Sequence, residues 1–308
     1  MPSATLLPWA WVPIVLAAAL AQTARNAAQR SLVARAGTWG ATLARFLYGL
    51  PFAALCVALL HALPATQGPV PPFHAGYFGW LMLGAFGQLA ATAAMLVAMK
   101  QRNFVVGVAW SRTDALQVVL FAGLFLHEVP RWVVIAAIVL ATAGVIMLSL
   151  PRKAAAAQAG GGGAGAAVLY GLASGAGFAL SAVGYRGAAL ELPGVSPWLV
   201  GAWGVLWAQA VQTLALGGGL ALRAPQALRA VLQEWRVSSV AGSAGALASL
   251  GWFTAFALTS AANVRALGLV EVLFSYLVSR RLMKESLAPA EHAGLVLMVV
   301  GLVALCVS

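Results

Sequence analysis

The stretch 6-LLPWAWVPIVLAAALAQTARNAAQR-30 runs sixteen uncharged residues, Leu6 to Ala21, directly into a polar stripe. Gln22, Arg25, Asn26 and Gln29 follow at spacings of three, four and seven, which places them on one face of a helix. An apolar run of this length reads as a membrane-crossing helix. A stripe of amides with an arginine inside such a helix needs either a water-filled surface or a polar partner to face. The segment has an apolar core and an Ala-Leu-Ala ending, but residues 1–10 carry no Lys or Arg, so it reads as a retained helix and not a cleaved signal.

The same reading extends along the chain. Of 308 residues, 62% are hydrophobic and 8% charged. A water-soluble surface requires about a quarter of the residues to be charged, so this chain lacks the polar surface for solubility. Apolar runs of about 20 residues recur and strand alternation does not, which predicts an all-α polytopic membrane protein. Most of the net charge of +11 is accounted for by cytoplasmic loops and not by a nucleic-acid partner. Cys56 and Cys306 fall inside apolar runs and read as small buried hydrophobes, without disulfide or metal-ligand spacing.

Breaks in the apolar pattern predict ten spans, near 7–29, 40–62, 76–98, 104–126, 131–150, 166–190, 197–219, 237–259, 262–283 and 288–307. Prolines 64, 69, 71 and 72 punctuate one loop, and 127-HEVPR-131 makes a tight polar turn. Residues 151–165 are a low-complexity linker between a first half, 1–150, and a second, 166–308. With the halves offset by 157 positions, Asp114 meets Glu271, Glu128 meets Glu285 and Gly144 meets Gly301. Two of only seven acidic residues thereby pair with two others. Five helices per half is an odd number, so the second half enters the membrane from the opposite side, an inverted-topology repeat. Loops after odd-numbered spans hold most of the Lys and Arg, including Arg30, Arg35, Lys100, Arg102, Arg223, Arg229 and Arg236. The positive-inside rule puts those loops in the cytoplasm and both termini outside.

Ten helices in two halves, with the hairpins 120-LFAGLFLHEVPRW-132 and 277-LVSRRLMKESLAP-289, resemble the EamA branch of the drug/metabolite transporter superfamily. Glu128 with Gly144 and Glu285 with Gly301 match its pattern of a Glu at the hairpin turn followed by a small-residue helix. The resemblance covers the whole chain in architecture and rests on a short motif. It implies a carrier in the bacterial inner membrane, most often an exporter of small metabolites such as amino acids, with a central cavity between the halves. It also implies that the first helix of each half lines that cavity. Members of that family usually have both termini in the cytoplasm, the reverse of the arginine count.

The residues that could carry chemistry are the polar ones inside spans. Asp114 and Glu271 fall near the centres of the fourth and ninth spans, where a carboxylate costs at least about 2.5 kcal/mol to insert. They read either as proton-coupling groups or as permanent partners of Arg112, Arg265, Arg25 or Arg45. Arginines in excess over acids at depth favour an anionic or carboxylate-bearing substrate, because guanidinium binds carboxylate through two parallel hydrogen bonds. Snorkelling to the headgroups is the competing reading for Arg25, Arg30 and Arg45. Gln22, Arg25, Asn26 and Gln29 would line the cavity, with Ser181 and Tyr185 as counterparts in the second half. Trp110 and Trp252 are candidate cavity walls, and Gln88 belongs either to the site or, like Gln117, Gln209 and Gln212, to interhelical bonding. Gly171 and Gly175 read as a close helix contact.

These features predict a secondary carrier for a small polar metabolite, working by alternating access. No Walker-type phosphate loop is present, and the four histidines and seven acids do not cluster as a metal site would, so neither a cofactor nor a metal is expected. A channel or lipid scramblase is the alternative, with an intramembrane enzyme after it. The expected partners are the small-molecule substrate and membrane lipid, with proton coupling open and monomer or homodimer undecided.

Overall fold

The computed structural model describes residues 9–66, 68–100, 110–149, 164–274 and 289–307. Most of the linker 151–165, the second hairpin with Glu285, the start of the fourth span and the end of the ninth lie outside the described residues. The described residues form helices joined by turns, without strands. The helices are α1 (Trp11–Leu47), α2 (Gly49–Ala62), α3 (Ala75–Lys100), α4 (Asp114–Leu126), α5 (Trp132–Ser149) and α6 (Ala164–Leu190). After them come α7 (Pro197–Arg223), α8 (Pro225–Gln233), α9 (Trp235–Leu258), α10 (Ala261–Gly268) and α11 (Pro289–Val307).

Among the described residues, five segments are long and apolar enough to cross a membrane: Ser31–Ala62, Ala75–Met95, Val168–Leu190, Pro197–Arg223 and Trp235–Leu258. The protein is therefore a helical, membrane-embedded one, although ten full spans are not all present among the described helices. α4 has 13 residues, about 20 Å, against a hydrocarbon thickness of about 30 Å. It begins only after a tight turn at Arg112–Thr113, which separates it from the helical residues Trp110 and Ser111.

The expected boundary between the first two spans also moves. Helix continues through the polar residues to Ala36 and resumes at Thr38, with the reversal concentrated at Gly37 (φ 67°, ψ 174°). Only glycine tolerates that conformation without strain. The second limb runs past Tyr48, whose N–H donates to the Ala44 carbonyl, into α2. At the end of α4, His127 adopts the left-handed conformation (φ 56°), and the Glu128 N–H donates back to the Ala122 carbonyl at 3.1 Å. This is a Schellman-type stop, so the Glu128 position in the polar turn is fixed by backbone capping.

The described residues group into two compact units, each drawing on both sides of the 151–165 linker. The first takes the residues up to Ala85 and Tyr185–Ser260; the second takes Phe86–Gly184 and the residues from Ala261. In the first, α1 packs on α9, α8 and α7, with α2 against α7 and α9. Leu32, Ala36, Ala41 and Ala44 of α1 bury Val231 of α8 and Ala241 of α9.

In the second unit α5 crosses α11 at glycines. A Cβ on Gly144 would run into the backbone at Met298 and Gly294, and one on Gly301 would meet Ala141 N at 2.6 Å and Ala137 O at 2.8 Å. Removal of side chains lets the two backbones approach, while Val296, Val300 and Val303 point outward. Gly177 lies against Ala91 in the same way, and the Ser174 hydroxyl donates to the Ala91 carbonyl at 3.0 Å. Gly171 is buried, and Gly175 sits against Ser111 O, 3.0 Å from where a Cβ would be, so the expected small-residue contact forms on the chain entering α4.

Candidate functional site

The second unit brings together two buried acids and two half-buried arginines. Asp114 is the first residue of α4 and is almost fully buried. Its carboxylate forms an ion pair with the guanidinium of Arg265 on α10. Glu271, also buried, and Arg112 lie near enough for their charges to act on the same guanidinium. Arg265 Nε is buried without a hydrogen-bond partner. Two acids and two guanidiniums thus share one neighbourhood, in which Asp114 and Arg265 are joined as an ion pair.

Local backbone chemistry places the acids. Both follow an interruption of the helix. At the first, the Thr113 N–H donates to Trp110 O at 3.2 Å and the Leu116 N–H to Thr113 O at 3.0 Å. At the second, the Leu269 N–H donates to Ala266 O at 3.1 Å and the Val272 N–H to Leu269 O at 3.0 Å. These tight i→i+3 turns fall within one position of each other at the 157-residue offset. Side chains brace the first. The Thr113 hydroxyl donates to Trp110 O at 2.7 Å, and the Gln117 amide donates to Thr113 Oγ1 at 2.9 Å and to Leu172 O at 3.4 Å. Trp110 is itself exposed. Gln117 therefore holds the interruption in place.

In the first unit the stripe on α1 divides. Trp252 Nε1 donates to Gln22 Oε1 at 3.0 Å, joining two of the expected residues. Arg25 is buried, packs its stem against Gly245 and donates to Asn26 Oδ1 from Nε at 3.2 Å and from Nη2 at 2.7 Å. Gln29 donates to the Ala41 carbonyl at 2.8 Å, across the Gly37 reversal. Its amide thereby clamps the two limbs of α1. The Arg45 guanidinium lies 4.3 Å from the centre of the Phe46 ring, a cation–π contact.

Ser181 and Tyr185 stand in different units. Ser181 is buried, with its backbone nitrogen 3.2 Å from where a Cβ on Gly87 would be. The Tyr185 ring packs on Phe253 with centroids 4.1 Å apart and planes tilted by 36°, and its hydroxyl accepts from Gln212 Nε2 at 3.3 Å. Gln212 also donates to Ala85 O at 3.3 Å, in keeping with interhelical bonding. Gln88 is half-buried, and its main-chain carbonyl accepts from the Thr92 hydroxyl at 2.8 Å.

Two features escaped the sequence reading. One is an aromatic cluster of Phe73, Tyr77, Phe78, Trp203 and Trp207, with neighbouring centroids from 4.9 to 6.3 Å apart. The spacing of Phe73, Tyr77 and Phe78, and of Trp203 and Trp207, was the available signal. The other is His61, which bonds Gly68 O through Nδ1 at 2.9 Å and accepts from Trp203 Nε1 at 3.0 Å through Nε2. No group of His, Cys, Asp and Glu suited to a metal ion occurs among the described residues.

No protein-family model matches the chain, and no curated protein matches it. Among the solved structures similar to the chain is a crystal structure at 16% identity, with 96% of each chain covered and a TM-score of 0.66. At that identity the likeness carries the fold alone.

Proposed function

We propose that the chain is a secondary carrier of the EamA type in a bacterial inner membrane, exporting a small amino-acid-like or carboxylate-bearing metabolite by alternating access. The observation that carries this reading is the group Asp114, Arg265, Glu271 and Arg112. Buried ionisable groups in a membrane protein are costly and mark pathways for ions or substrates. A zwitterion complements the group, with its carboxylate on a guanidinium and its ammonium on Asp114 or Glu271. A proton and an ammonium then compete for the same carboxylate, which makes exchange of substrate for protons the natural coupling.

The packing of α5 on α11 supports inverted repeats. Gly144 meets 294 and 298, and Gly301 meets 137 and 141. Shifted by 157, each contact becomes the other, so the crossing is reciprocal, as a two-fold axis requires. Contact positions rise along α5 as they fall along α11, so the helices are antiparallel. An axis relating antiparallel spans lies in the membrane plane, the arrangement of inverted repeats.

Purified protein in liposomes should show saturable uptake with counterflow of amino-acid-like compounds, whereas flux linear in concentration would indicate a channel or scramblase. Asp114→Asn with Glu271→Gln should abolish the pH dependence of transport. Unchanged transport and pH response in that double variant would reject the coupling assignment.

A further inference from the structure

The basic surface around α8 has no role in transport as proposed above. α8 is a nine-residue amphipathic helix between α7 and α9. Its buried residue Val231 sits among Leu32, Ala36 and Ala41, flanking the Gly37 reversal, and Val231 Cγ2 would be 3.2 Å from a Cβ on Gly40. α8 therefore lies across the end of the α1 hairpin. The Arg35 guanidinium on α1 bonds Glu234 at 2.6 Å, just after α8, and fastens the same junction.

The outer side of this junction has two kinds of group. Leu222, Leu232 and Trp235 are large, apolar and exposed. Arg223, Arg229 and Arg236 are exposed as well, and Arg236 lies 5.4 Å from the Trp235 ring centre. Glu234 is the single acid between Glu191 and Glu271, and Arg35 already engages it. Three guanidiniums are thus left without a carboxylate among the described residues. Apolar side chains beside cations, with a tryptophan at their junction, match the boundary between acyl chains and headgroups. Guanidinium pairs with phosphate oxygens through two parallel bonds.

We propose that this platform binds anionic phospholipid headgroups, with α8 lying in the headgroup layer and Arg223, Arg229 and Arg236 on the phosphates. The attraction is to the membrane surface and not to a free anion, because the apolar side chains beside the cations need acyl chains to cover them. Each cation near an anionic surface raises the preference about fivefold. Native mass spectrometry of the purified full chain, titrated with phosphatidylglycerol and phosphatidylcholine, measures that preference. The wild type should favour phosphatidylglycerol on the order of a hundredfold, and R229Q/R236Q should fall to about fivefold. R131Q, which alters a cation outside the platform, should keep the wild-type value. Equal binding of the two lipids by wild type, full preference in R229Q/R236Q, or the same loss in R131Q would overturn the proposal. Displacement of phosphatidylglycerol by an equal concentration of inorganic phosphate would overturn it too, because it would mark a small-anion site.

Discussion

Arg265 and Asp114 form the pair on which residue-scale energetics turn, because each is costly to bury without the other. Arg265→Gln leaves the carboxylate uncompensated and should lower stability by about 3–5 kcal/mol, read from denaturant unfolding in detergent. Adding Asp114→Asn should restore much of that loss, and the double-mutant cycle gives the coupling directly. If the two effects simply add, the groups are not partners. A smaller effect is expected where Trp252 donates to Gln22: Trp252→Phe removes one donor and should cost about 1 kcal/mol. The charged candidates were visible in the sequence because an acid or an arginine stands out in an apolar run. Their partners were not visible. Helical spacing put Gln29 on the polar stripe and the family resemblance made that stripe a cavity lining, yet its amide bonds a main-chain carbonyl twelve positions away, across a turn that spacing does not place.

Elements are held by glycines at two kinds of position. Gly144 and Gly301 give α5 and α11 their close crossing, so Gly144→Ala and Gly301→Ala should each destabilise by about 1–3 kcal/mol through overpacking. The reciprocity of the crossing predicts similar losses, and widely different ones would argue against it. Gly165, around which a Cβ would find open space, is the control, and Gly165→Ala should be neutral or slightly stabilising. Gly37 differs in kind: Gly37→Ala meets no neighbour but forces a side chain into a glycine-only conformation, costing about 1–3 kcal/mol. Thermal melting of the purified variants separates the two classes from the control. At this scale the Gly144 and Gly301 match was readable as a repeat, and Gly171 and Gly175 as a contact. The interruptions at Arg112–Thr113 and Leu269 were not, because no proline marks either one and each appears only as a change in hydrogen-bond register.

For the whole molecule, the distribution of arginine makes a topological prediction. With Cys56 and Cys306 replaced by Ser, a cysteine at Ser3 or Ser196 should react with an impermeant maleimide in intact cells, and one at Gln226 should not. Labelling at Gln226 alone would invert the protein and place the α8 platform on the other leaflet. The assignment of α8 to a headgroup layer survives either result, because it depends on exposed Arg229, Arg236 and Trp235 and not on which leaflet they face.

What the sequence determined by itself is the solvent of this protein and its class: with 8% charged residues and apolar runs of about 20 residues, it spans hydrocarbon as helices, which satisfy their backbone groups within each segment. It also marked Asp114 and Glu271 as equivalent positions, since acids are rare enough here for one offset to pair them. Tertiary structure decided which groups meet: Asp114 with Arg265, Gln22 with Trp252, and Gly144 with the Gly294–Met298 turn of α11. The physical reason is one of range. Burial and helical period are properties of neighbouring residues and can be read along a chain, whereas an ion pair 151 positions apart exists only once packing has brought two helices together.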